Sequence, residues 1–178
     1  TLFNDNVTEY DGFGYSVAID ATNGRAFVGG RQDDTGGGDK GAVYYFQFHA
    51  DSNEWVRQQK LQSGNGGDLF GDAIDYDSGT GVLAIAARDE DSDSTDVADT
   101  GGSNDSGAVW IWTYDAGTNQ FVQAQKIKAQ NADGSLDLQG GDRFGDAAVA
   151  MDGGTLVVGQ WRQDTGGGDS GAVYVYID

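Results

Sequence analysis

Short runs of small and apolar residues alternate with Gly- and Asp-rich turns along the chain. Phe13 to Ile19 and Arg25 to Gly29 flank the turn Asp20-Ala21-Thr22-Asn23-Gly24, a pattern that predicts two strands joined by a tight turn. After the loop Arg31 to Lys40, Ala42 to His49 supplies an aromatic-rich third strand. Asp51-Ser52-Asn53 then precedes a fourth at Trp55 to Leu61. The unit reads as a four-stranded antiparallel meander.

The same order recurs. A second unit runs through Phe70 to Ile74, Val82 to Ala86, Ala108 to Tyr114 and Phe121 to Ile127; a third through Phe144 to Met151, Thr155 to Val158 and Ala172 to Ile177. The organisation is a linker or edge segment 1–12, repeat 1 at 13–62, linker 63–69, repeat 2 at 70–128 with an acidic insertion, linker 129–143, and repeat 3 at 144–178 without its fourth strand. A unit of this kind cannot bury its apolar face alone, so copies must stack. The spacing suits four-stranded blades better than a short-period solenoid. Ser16, Ala18, Ala73, Ala147, Ala148 and Ala150 on the first strands let these approach a crowded axis, while the aromatics of strands three and four fill the wider outside. The expected fold class is all-β, with β-propeller-type blades of four-stranded antiparallel sheets, three repeats, the last blade incomplete.

Composition supports this class and narrows the partners. Thirty glycines and no proline fit many tight turns. A net charge of −19 repels phosphate backbones and anionic lipid, which argues against nucleic acid and membrane insertion. Cysteine is absent, so neither disulfides nor thiolate metal sites are available. No stretch approaches the roughly 20 apolar residues of a membrane span. A start at Thr1 rather than Met points to processing or excision from something longer.

Three passages carry a family resemblance: Phe13-Gly14 through Gly41-Ala42-Val43-Tyr44, Phe70-Gly71 through Gly107-Ala108-Val109-Trp110, and Phe144-Gly145 through Gly171-Ala172-Val173-Tyr174. With Phe27-Val28-Gly29-Gly30 and Leu156-Val157-Val158-Gly159-Gln160 between them, the chain resembles the FG-GAP repeats of integrin α-chain β-propellers and of many extracellular proteins. The usual Pro of the motif is lacking, and the middle unit reads Ala84-Ile85-Ala86-Ala87. The resemblance implies an extracellular or cell-surface location and a scaffold role. Closed propellers have about 4 to 8 blades, so the three units belong to a longer propeller or meet other chains. Thr1-Leu2 aligns with Lys60-Leu61 and Lys126-Ile127, at the tail of a fourth strand.

Candidate chemistry lies in the loops. Family members often carry an Asp-rich Ca2+ loop between strands one and two; here Asp20, Asn23 and Gly24, or Asp75, Asp77 and Gly79, keep only part of it, and Asp-Gly turn chemistry accounts for the same residues. The acidic run Asp89-Glu90-Asp91-Ser92-Asp93 is a second candidate for Ca2+, or a solvated loop. Between strands two and three, Arg31-Gln32-Asp33-Asp34-Thr35 resembles Arg162-Gln163-Asp164-Thr165. Arg31, Asp33, Asp39, Arg88, Asp105, Arg162, Asp164 and Asp169, with Trp161, are candidates for a rim that meets a ligand or another subunit. Their bland reading is scaffold, with Asp39, Asp105 and Asp169 accepting backbone hydrogen bonds and Arg31, Arg88 and Arg162 pairing with carboxylates. Asn6 and Asn104 begin N-glycosylation sequons. Trp55, Trp110, Trp112 and Trp161 are able to stack on sugars, although Trp110 takes the place of Tyr44 and Tyr174 and reads as core.

His49 is the one histidine and lies on a strand without a nucleophile beside it, so no enzyme is expected. The leading expectation is a non-enzymatic extracellular segment for protein interaction, adhesion or self-assembly, its partner another protein or copies of itself. A calcium-assisted lectin-like glycan binder and an accessory propeller of a larger secreted enzyme are the alternatives.

Overall fold

The computed structural model describes residues 2, 10–35, 37–62, 64–92, 105–146, 148–164 and 167–177. Among these there is no helix, and eleven strands form three antiparallel sheets. Sheet I contains β1 (Phe13–Asp20), β2 (Arg25–Gly30), β3 (Ala42–His49) and β4 (Glu54–Leu61) in that order. Sheet II repeats it with β5 (Phe70–Asp77), β6 (Val82–Ala87), β7 (Ala108–Asp115) and β8 (Gln120–Ile127). Sheet III has β9 (Val149–Asp152), β10 (Thr155–Gln160) and β11 (Ala172–Ile177).

One strand starts later than its sequence suggests. Phe144, Gly145 and Asp146 form a turn, and β9 begins only at Val149. The Phe-Gly corner leaves the ladder in every unit: pairing jumps from Phe13 to Val17 in sheet I and from Phe70 to Ile74 in sheet II. The glycine that follows each Phe has φ near +90° (93, 93 and 89° at Gly14, Gly71 and Gly145), which tucks the ring inward before the strand resumes. Unit three carries one residue more between Phe and the closing Asp, and its paired strand is shorter, four residues against eight in β1 and β5.

The sheets stack face to face, with β5 against β1 and β2 on one side and β9 on the other. Period-two alternation divides each strand between two faces. Trp110, Trp112, Leu83 and Ile85 of sheet II face sheet I, where they meet Phe27, Val43 and Tyr45. Ala84, Ala86 and Val109 face sheet III and meet Phe144, Leu156 and Val158. Towards the outer strands the first layer becomes aromatic: the Phe121 ring stands edge-on to Phe27 and Tyr45, each 5.1 Å away between centroids. Gln59 of β4 brackets Phe121 of β8, accepting from its N–H at 2.7 Å and donating to its carbonyl at 2.9 Å, so a side chain extends the ladder across the sheet boundary. Leu2 packs with Phe13 and Trp55 on the other face of sheet I.

Candidate interaction surface

Each sheet joins the next through one repeated joint. Phe70 N–H donates to the Lys40 carbonyl at 2.9 Å, and Phe144 N–H donates to the Ser106 carbonyl at 2.8 Å. Each Phe therefore sits on the loop just before the Gly-Ala-Val of the preceding sheet. The approach leaves no room for a side chain: a Cβ on Gly41 would lie 2.2 Å from the Phe70 carbonyl oxygen, and one on Gly107 would lie 2.4 Å from Phe144 N. Gly71 in turn presses on Ala42 and Val43, and Gly145 on Ala86 and Val109. Ser16 donates to the Gly71 carbonyl at 2.6 Å, which explains the small residue there.

Charges reinforce the joint at its rim. Arg31 Nη1 lies 2.9 Å from Asp72 Oδ1 of the next sheet, and Arg88 lies 3.7 Å from Asp146 of the sheet after that. Arg88 also approaches Asp89 at 3.6 Å, while Arg143 Nε contacts Asp89 at 2.8 Å. Burial pushes the Asp89 carboxyl up, against the pull of Arg143 and Arg88.

The strand register corrects the loop alignment by one residue. Gly41, Gly107 and Gly171 N–H donate to the carbonyls of Asp33, Glu90 and Gln163, so these three are equivalent. Gly30 and Gln160 likewise pair with Ala42 and Ala172. Trp161, not Arg162, therefore occupies the position of Arg31 and Arg88, and Arg162 lies over the Trp161 ring at 4.6 Å. Arg-Gln-Asp recurs one residue out of step with the fold, at Arg31 to Asp33 and at Arg162 to Asp164.

Asp33 has no solvent face. Its carboxylate accepts from Lys60 Nζ at 2.8 Å, from Thr35 N–H at 3.0 Å and from the Tyr44 hydroxyl. Burial opposes its charge, but these donors outweigh the penalty and hold the carboxyl below its ordinary value. Glu90 repeats the arrangement in sheet II, paired with Lys126 at 3.0 Å and with Lys128, both lysines fully buried. In sheet III the neutral Gln163 donates to Asp137 at 3.4 Å. Lys60 and Lys126 stand at matching positions before the end of a fourth strand, and that recurrence is the sequence signal for the pairs.

A second recurrent carboxylate was not among the sequence candidates. Asp11, Asp68 and Asp142 each precede the Phe-Gly corner by two residues, and all are buried. Asp142 is pushed up to about 6, by burial first and then by Asp137, Asp164 and Asp169.

The remaining candidates separate. Asp75 accepts from Met151 N–H at 2.6 Å and Asp77 from Gly154 N–H at 3.0 Å, which ties sheet II to sheet III. The Gly154 bond first, with the turn N–H of Gly79, holds Asp77 below its ordinary value. Asp89 and half-buried Asp91 follow β6 at the opposite end of the sheet, so the two acidic groups do not converge. Among the described residues no three acidic or histidine side chains gather as metal ligands. Asp39, Asp105 and Asp169 share a left-handed backbone, φ 51, 44 and 52°. Asp164 accepts from Asp169 N–H at 2.7 Å. Asn6, Asp93 and Asn104 lie outside the described residues.

What sheet III offers is a face and a groove. Val43 and Val109 are fully buried by the next sheet, whereas their equivalent Val173 is 69% exposed, with Val175 at 58% and Ile177 at 81%. Beside them an open groove of about 580 Å3 is lined by Gly159, Trp161, Gly171, Ala172 and Val173. On sheets I and II the equivalent positions hold Phe70-Gly71 and Phe144-Gly145. Trp161 is half exposed at the mouth, its indole N–H donating to Asp146 at 2.8 Å.

No curated protein matches the chain. The family model described as the FG-GAP repeat matches residues 1–46 and 121–176, which include β1, β2, most of β3 and sheet III up to Tyr176. Sheet II, largely between these segments, has the same strand order, corner and glycine joint. With more than half of its residues matched, the chain belongs to the FG-GAP repeat family.

Proposed function

We propose that this chain is a non-enzymatic protein-interaction module of extracellular or cell-surface type, its sheets stacked as in a β-propeller. The observation that carries the reading is the exposed row Val173, Val175 and Ile177, which continues an interface used twice within the molecule. Apolar side chains aligned on one face beside a groove favour protein contact over solvent. His49 supports the non-catalytic reading, since it sits at the exposed end of β3 with Gln58 Nε2 at 3.3 Å.

A photo-crosslinking residue at Ile177, exposed to extracts of the source cells, tests the reading. Discrete protein adducts that disappear in Val173→Lys are expected; adducts indifferent to that substitution would overturn it. Trp161 at the groove mouth favours a second reading as a glycan-binding module. Saccharides that shift its fluorescence, with and without Ca2+, would support that reading.

A further inference from the structure

We propose that the occupant of the sheet III face is sheet I of a second copy of this chain, docked with its Phe13-Gly14 corner in the groove beside Gly171. The inference deepens the protein-interaction reading and rests on it. Three observations name the occupant.

The first is the joint itself. In both internal junctions a Phe-Gly corner closes over a Gly-Ala-Val, and the groove at Gly171-Ala172-Val173 is the third copy of that seat. A Cβ on Gly171 meets nothing nearer than the carbonyl oxygen of its own neighbour Trp161 at 3.3 Å. The seat is therefore open.

The second is that the same molecule carries the matching corner. A Cβ on Gly14 would meet nothing within 4 Å, whereas Gly71 and Gly145 are closely packed. Phe13 already packs on Tyr44 at 5.4 Å, as Phe144 packs on Tyr174 at 5.3 Å, so the corner has its docking shape.

The third is complementarity of the flanking strands. Ile74 and Tyr76 of β5 are buried against sheet I, and Val149 and Met151 of β9 pack against sheet II. The register makes Val17 and Ile19 their equivalents on β1, and these are 68% and 66% exposed. Head and tail thus expose the two halves of one interface. Such a contact is heterologous and closes only if the rotation allows. The three described sheets of each copy make six in a closed pair, within the roughly 4 to 8 of closed propellers, so a discrete dimer is the expected product.

Both copies are strongly acidic, so their mutual repulsion is screened by salt while the apolar contact is not. Added salt tightens this association, the reverse of an ion-paired interface.

Analytical ultracentrifugation of the intact chain and of two surface variants tests the proposal. Val17→Lys blocks the head and Val173→Lys blocks the tail; both sites are exposed, and a single cooperative thermal transition with wild-type far-UV circular dichroism confirms that each variant folds. Wild type is expected as a dimer strengthened by salt, each variant alone as a monomer, and an equimolar mixture again as a two-copy species through the one intact head and the one intact tail. A wild type that stays monomeric at its highest soluble concentration overturns the proposal, as does a dimer that ignores both substitutions or a mixture that does not associate. If wild type is monomeric while the Ile177 crosslinker still captures a different protein, the second copy is wrong and the interaction reading stands. Failure of both experiments removes both.

Discussion

Gly41 and Phe70 touch so closely that a single methyl group on the glycine would overlap the Phe70 carbonyl oxygen, at 2.2 Å. Residues far apart in the chain are held in a parallel bridge at this point, where sheet I meets sheet II. The contact sets how closely consecutive sheets stack, and Gly107 with Phe144 repeats it.

The first prediction compares equivalent glycines. Gly41→Ala combines a backbone overlap with a left-handed φ of 84° and is expected to cost at least about 3 kcal/mol. In the Val17→Lys background, where the groove stays open, Gly171→Ala has a similar φ of 75° and about 1–2 kcal/mol is expected. Urea unfolding of the two variants measures the difference, and equal losses would show that the joint is not rigid.

A second comparison sets two carboxylates apart by burial. Glu90→Gln removes the carboxylate that pairs with Lys126 and Lys128, whose side chains have no exposure, and a loss of about 3–5 kcal/mol is expected. Asp72→Asn releases Arg31 and Arg88, whose side chains still reach water, so about 1–2 kcal/mol is expected. Chemical denaturation of both variants at one pH tests the order.

Asp142 predicts a pH dependence of definite sign. Its folded value near 6 exceeds its ordinary value of 3.8, so the folded state holds its proton longer and stability falls as pH rises between about 4 and 6. Asp33 acts in the opposite sense, since its lowered value contributes stability above the ordinary carboxylate range that is lost on further acidification. Asp142→Asn is expected to raise the thermal midpoint at neutral pH and to flatten its change between about pH 4 and 6. An unaltered slope in the variant would assign the effect to other groups.

Trp161 supplies an optical prediction. Trp110 is fully buried and Trp112 nearly so, while Trp161 is half exposed. Acrylamide is expected to quench Trp161 most, with quenching reduced in Trp161→Phe to that of the partly buried Trp55, and reduced when the sheet III face is covered. Fluorescence titration at rising protein concentration measures this.

Much of the fold was legible in sequence because strand and turn chemistry are local. Alternation of side chains marked the strands, and Asp-Gly or Asn-Gly turns marked their reversals. The exception is Phe144 to Asp146: these residues read as strand, yet they form a turn and the ladder begins only at Val149, in a unit with one residue more between its Phe and its closing Asp. The rim was less legible. Arg31, Arg88 and Asp89 do meet there, but their partners Asp72, Asp146 and Arg143 lie across sheet boundaries. Asp33 looked like a loop-rim residue because a sequence does not display the lysine that folds over it from β4.

By itself the amino-acid sequence determined the repeat, its strand order, its all-β class and its family, because hydrophobic period and glycine placement act over a few residues at a time. Only the tertiary structure decided which equivalent positions are covered. Val43, Val109 and Val173 are the same residue in the same motif, yet two are core and one is surface. Burial depends on what stacks against a sheet, and that neighbour comes from another part of the chain or from another chain.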